Sequence, residues 1–92
     1  MIQRVVLLDI KETEIDKVVE ESKKGLPAIP QVKSLQVGTV EDDTDYNLAL
    51  IILFDNFQDV AAFRAHPRHR DYVDNFLKER LKNIKAYNIK IF

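Results

Sequence analysis

The stretch Tyr-Asn-Leu-Ala-Leu-Ile-Ile-Leu-Phe, residues 46–54, constrains this chain more than any other part of it. It is rich in aliphatic and β-branched residues and reads as a strand. Side chains alternate across a sheet, so Tyr46, Leu48, Leu50, Ile52 and Phe54 point one way, and Ala49, Ile51 and Leu53 the other. Both sets are apolar, so such a strand needs cover above and below. Residues 2–10 repeat the pattern, with Val6, Leu8 and Ile10 opposed to Val5 and Leu7.

Helical signals fill the intervals between these strands and two further ones. Thr13 is an N-cap candidate, with Glu14 and Asp16 placed to complement a helix dipole. Ile15, Val18, Val19, Ser22 and Leu26 then form one stripe at helical spacing, which Gly25 and Pro27 end. The segment Pro27–Pro30 is too proline-rich for regular structure. Residues 33–40 alternate as a strand, with Gly38 marking a bulge or a close contact, and residues 41–45 form a polar turn. Asn56 caps a second helix carrying Phe57, Val60, Ala61 and Arg64, which Pro67 interrupts. His69, Tyr72, Val73, Phe76 and Leu77 continue as a stripe, and residues 84–92 close the chain as a strand. The order β-α-β-β-α-β predicts a single α+β domain over residues 1–92 with a ferredoxin-like, four-stranded antiparallel sheet. Its first and third strands, the two most apolar, lie at the centre.

Two helices cover only one face of such a sheet. Burying a Leu or Ile is worth roughly 1.5–3 kcal/mol, so a second apolar face left in water is costly. The sequence holds no spare segment to fold over it. The expected cover is the same face of a second copy, related by two-fold symmetry. That pairing makes a homodimeric barrel of two sheets with helices outside.

Composition removes several classes of function. Fourteen basic and fifteen acidic residues leave a formal charge of −1, without the basic excess of a nucleic-acid binder. No segment has the apolar length of a membrane span or of a signal peptide. The chain has no Cys, which removes disulfides and thiolate chemistry and fits a cytoplasmic location. Two glycines cannot build a phosphate-binding loop.

The most unusual local feature is His66-Pro67-Arg68-His69. His66 precedes a proline and is expected outside helical conformation, capping or bracing the break. His69 shares the inward stripe with Tyr72 and Phe76, so its ring needs a partner. That partner is a backbone carbonyl if His69 is structural, or a substrate if it is a general base lining a pocket. Arg4 lies on the same side of its strand as Val6 and Leu8. It either points into that pocket, seeking a carboxylate partner or an anionic ligand, or snorkels to solvent from the strand end. Arg64, Arg68 and Arg70 surround the two histidines, either drawing an anion to the pocket mouth or pairing with Asp71 and Asp74 on a solvated face. The histidine spacing does not suit zinc, and the acidic run 42–45 lacks EF-hand spacing, so no metal and no cofactor is expected.

Several motifs, in order and spacing, carry a resemblance. These are Ile29-Pro30-Gln31-Val32-Lys33, then Val37-Gly38, then Tyr46-Asn47-Leu48-Ala49-Leu50 running to Phe54, then His66-Pro67-Arg68-His69. Together they resemble the stress-responsive A/B barrel (Dabb) family over essentially the whole chain. The resemblance implies a dimeric α+β barrel. A cyclase of that family uses the second His of H-P-x-H with a Tyr three residues before the first. Here the His is His69, but the Tyr position is Phe63, which handles no proton. Many members also carry a His near the start of the first strand, where this chain has Arg4. The resemblance therefore does not extend to that reaction. The related antibiotic-biosynthesis monooxygenases share the barrel and work without a cofactor.

Three readings of function follow. The first is a dimeric module binding a small, anionic or aromatic metabolite through Arg4, His66 and His69, with Phe63, Tyr72 and Phe76 as walls. The second is a cofactor-independent lyase or cyclase with His69 as general base and Tyr46 or Tyr72 as its partner. The third is a structural stress protein whose dimers assemble further.

Overall fold

A computed structural model describes residues 1–92. Four strands form one antiparallel sheet: β1 (Ile2–Ile10), β2 (Ser34–Thr39), β3 (Leu48–Phe54) and β4 (Leu81–Lys90), in the order β2-β3-β1-β4. The two strands that are apolar on both sides are the central ones. Helix α1 (Ile15–Gly25) packs near β2 and α2 (Phe57–Ala65) near β3. Helix α3 (Pro67–Tyr72) runs on into a π-helical segment, Val73–Leu77.

All the helices cover one face of the sheet. On that face Leu8, Ile10, Leu48 and Phe54 are fully buried, and Ile2, Val6, Leu50 and Ile52 nearly so. Val18 from α1, Leu26 just after that helix, and Phe63 and Val60 from α2 close the core over them. The opposite face has no cover within the chain. There Val5, Leu7, Ala49, Ile51 and Leu53 are only half-buried, and Tyr87 and Ile89 are exposed.

Several expected local details differ. Thr13 caps nothing: it lies inside a 3₁₀ turn, Glu12–Glu14, and α1 starts after Glu14 without a side-chain cap. Pro27 sits in a second 3₁₀ turn, Leu26–Ala28, because a proline is tolerated in the first turn of a helix. This turn seats Ile29 fully in the core, so the Pro27–Pro30 segment is more regular than expected. Gly38 marks neither bulge nor close contact. It pairs in register with Ala49, with open space where a Cβ would stand. The irregularity lies instead between Asp9 and Ile10 in the pairing of β1 with β4.

β3 begins at Leu48, two residues later than expected, because Asn47 has another task. Its side-chain amide bonds both the N–H and the carbonyl of Ile10, at 2.9 and 2.8 Å, which supplies partners where the β1 ladder becomes irregular. Tyr46 accordingly falls outside the strand. β2 is one residue shorter at each end than expected. β4 starts at Leu81 and ends at Lys90, displaced from the expected 84–92 by its register against β1.

Candidate functional site

Between the covered face of the sheet and the α2–α3 corner lies a cavity of about 210 Å³. Nine of its twelve lining residues are hydrophobic, and its polar groups are Arg4, Arg64 and His69. Val6, Leu50 and Ile52 form its floor on the sheet, Phe63 and Tyr72 its helical wall, and Ile84 its side on β4.

The break between α2 and α3 creates this corner. Pro67 has no N–H to continue the helical ladder. His66 is extended, with φ −64° and ψ 134°, and its Nδ1 accepts the Arg68 N–H at 3.1 Å. The Arg64 carbonyl is thereby left without its usual helical donor. His69 Nδ1 approaches it at 3.2 Å. A carbonyl oxygen can only accept, so this contact places the proton on Nδ1 and leaves Nε2 with the lone pair. The ring rests against Phe63, with centroids 4.5 Å apart, and Phe63 meets Phe54 edge-on at 5.1 Å. Burial holds His69 below its ordinary pKa of 6.5, and the charges of Arg4, Arg64 and Arg70 add to the effect against the opposing bond to Arg64. His69 is therefore a neutral imidazole at neutral pH. Both expectations for it meet here: one nitrogen is satisfied by backbone, the other has no partner in the chain.

Arg4 is the one charged residue on the covered face of β1. Its cross-strand neighbour in the register is Asn88, whose Oδ1 accepts from Arg4 Nη1 at 3.0 Å. Burial lowers the Arg4 pKa, and the Arg64 charge adds to this. No ion pair involves Arg4, Arg64, Arg68 or Arg70. The four present use Lys33, Lys78 and Arg80. Asp74 lies near Lys78 at 3.9 Å and Asp71 accepts from Asn75, so the expected pairing of these acids with the arginines does not occur.

Two of the expected pocket residues lie elsewhere. His66 is taken up by the helix break and does not line the cavity. Phe76 lies behind Tyr72, ring on ring at 5.7 Å, with the Arg80 guanidinium 4.3 Å above its own centroid. The π-helical widening turns it away: the Lys78 N–H reaches back five residues to the Val73 carbonyl at 3.0 Å. Val73 and Leu77 line the cavity in its place. Arg4, Phe63, His69 and Tyr72 are brought together.

Sequence reasoning missed the role of Ser22, which is fully buried on α1 and hydrogen-bonded to the Tyr72 hydroxyl. Its position inside an apolar stripe was the available signal, since a buried hydroxyl needs a partner. Burial raises the Tyr72 pKa, with the Ser22 bond opposing and Glu21 adding a smaller rise, so Tyr72 stays a phenol. Asn88 and Ile84 carried no such signal, because only the register of β4 places them beside the site.

Arg64, His69 and Val73 also border a shallow surface depression with Arg70 and Asp74, so the cavity opens to solvent at the α2–α3 corner. No three His, Asp or Glu side chains come together as metal ligands, and no helix is long and apolar enough to cross a membrane.

Fold and site together define a ferredoxin-like α+β domain with an apolar, arginine-flanked cavity between helices and sheet. The chain belongs to the stress-responsive A/B barrel domain family, whose model matches residues 2–90. No curated protein matches it. Among solved structures it is similar to a Dabb family protein with a ferredoxin-like fold from Mesorhizobium loti, with TM-score 0.90 and 18% identity, covering 99% of this chain and 96% of that one. A dimeric protein of unknown function from Bacteroides fragilis aligns with TM-score 0.79 and 24% identity over 98% and 95% of the two chains. The hydroxynitrile lyase of Passiflora edulis aligns with TM-score 0.81 and 21% identity over 99% and 93%. At these identities the likeness concerns the fold.

Proposed function

We propose that this protein is a homodimeric small-molecule-binding module, with one ligand cavity per protomer between helices and sheet. The observation that carries the reading is the cavity itself, about 210 Å³ of mostly apolar space with Arg4, Arg64 and His69 as its only polar lining. Ligand sites have this composition: apolar walls give affinity and a few polar groups give orientation. The volume is below the roughly 300–1,000 Å³ usual for drug-sized ligands, so the ligand is small. The second copy covers the bare sheet face, whose Val5, Leu7, Ile51 and Leu53 remain half-exposed in one chain. The Bacteroides fragilis protein of this fold is described as dimeric, which supports the pairing. A Cys-free chain fits the cytoplasm, where the module is expected to work.

The test is a small-fragment screen by NMR on the intact protein, reading the signals of Phe63, Tyr72 and His69. Fragments should shift these three before any others. A screen in which no fragment perturbs them would remove the cavity as a binding site.

A second reading rests on the His69 geometry. A neutral imidazole with Nδ1 anchored and Nε2 unpartnered is arranged as a general base. A cofactor-independent lyase or cyclase would use it in that role, with the Tyr72 phenol in the same cavity. His69→Ala separates the two readings. An enzyme would lose about 10²–10⁴ in rate, whereas a binder would weaken only several-fold. Assembly beyond the dimer, the third reading, would show as larger species in sedimentation.

A further inference from the structure

The cavity has a charge imbalance that narrows its ligand class. None of its twelve lining residues is acidic, yet two are arginines. Neither guanidinium has a carboxylate partner anywhere in the chain. Arg4 is half-buried without a counter-ion, which is unfavourable, and the exposed Arg64 facing the same space adds repulsion. A bound anion would relieve both penalties.

Arg4 is also held in a defined pose. Asn88, directly opposite on β4, takes one of its five N–H donors at 3.0 Å and leaves the others free. An amide does this without neutralising the charge, as an Asp at the same place would. Apart from the neutral His69 ring, the rest of the lining is apolar, which suits one charged group on an apolar body. The size can be set as well. A cavity of about 150 Å³ lined by Leu, Ile and Phe holds one benzene molecule. This one, at about 210 Å³, has room for a ring of that size and one carboxylate.

Resting on the reading of the cavity as a ligand site, we propose that it selects small monocarboxylates, with Arg4 gripping the carboxylate, Arg64 as second cation at the mouth, and Asn88 as the residue that positions Arg4. The planar guanidinium fork matches the two oxygens of a carboxylate, and Lys would not replace it equally.

The test compares benzoate with benzamide, which has nearly the same shape without the charge, by NMR titration of the intact protein. Benzoate should bind at least about tenfold tighter, as expected for hydrogen bonds to a charged group. Arg4→Gln should bring the two affinities together. Asn88→Asp should do likewise, since it sets a carboxylate against Arg4 at an exposed edge-strand position. It also keeps the test available if Arg4→Gln fails to fold. Asn88→Ala removes the bond without adding a charge and should also narrow the benzoate-to-benzamide ratio; an unchanged ratio in Asn88→Ala would overturn the positioning role of Asn88. Equal binding of the two probes would overturn anion selection while leaving the cavity a binding site. Binding of neither, with no shift at Phe63 or Tyr72, would sink both. Phenyl phosphate binding more tightly than benzoate would overturn the carboxylate class.

Discussion

The two faces of the sheet are made by the same strands from nearly the same residue types, yet they have different fates. On the helix side, Leu8, Leu48, Leu50 and Ile52 are at most 3% exposed. One residue along, on the bare side, Leu7, Ala49, Ile51 and Leu53 remain half-exposed. The covered face is finished by the chain's own helices, and its central strands carry one charge, Arg4, beside the cavity. The bare face carries Val5, Leu7, Ala49, Ile51 and Leu53 with no helix over them. Apolarity alone therefore does not decide which face of a sheet becomes the core of the chain. What decides it is which face the connecting helices can reach.

The largest expected effect attacks the bare face. In the proposed dimer, Ile51→Glu would bury an unpaired carboxylate twice, at a cost of several kcal/mol. The dissociation constant should rise by more than about a hundredfold. Sedimentation at micromolar concentration should show single protomers, and an intact dimer would take this face out of the interface. On the covered face, Leu8→Ala should cost about 2–5 kcal/mol in urea unfolding, because a filled core collapses poorly around a lost side chain. Leu7→Ala, measured at dilutions where protomers are separate, should cost clearly less. Equal losses would erase the distinction between the faces.

Smaller effects sharpen the picture around the cavity. Tyr72→Phe strands the buried Ser22 hydroxyl and should cost about 1–3 kcal/mol. Adding Ser22→Ala should recover part of that, since two apolar groups need no partner. Asn56→Ala removes the cap that accepts the Asp59 N–H at 2.9 Å and should cost about 1 kcal/mol.

The last effect concerns pH. The folded-state pKa of His69 lies below its ordinary 6.5, so in that range the unfolded chain binds more protons than the native one. The His69 contribution to stability is therefore present above about pH 6.5 and is lost as the pH falls through the folded value. His69→Gln should flatten this part of the stability–pH curve. A curve unchanged by the substitution would mean that the ring is not held neutral by its surroundings.

Residues 2–10 and 46–54 were legible as strands apolar on both sides, and the element order placed them at the centre of the ferredoxin-like sheet. The Asn56 cap and the extended His66 were equally legible, because each follows from one residue and its neighbours. Thr13 was not, since a local cap preference gave way to a 3₁₀ turn leading off β1. In the site, Arg4, His69 and Tyr72 were reachable from strand and helix spacing, and Phe63 from the family resemblance. Phe76 was misplaced because the stripe assumes 3.6 residues per turn and the π segment has more.

The sequence by itself determined which side chains seek cover, since that depends on residue type and on the fixed periods of strand and helix. It also determined where the second helix breaks, since Pro67 lacks a donor. Only the tertiary structure decided that Arg4 meets Asn88, that Ser22 meets Tyr72, and that the Arg64 carbonyl falls to His69. Those partners are 84, 50 and 5 residues apart, and register and packing set the distances between them.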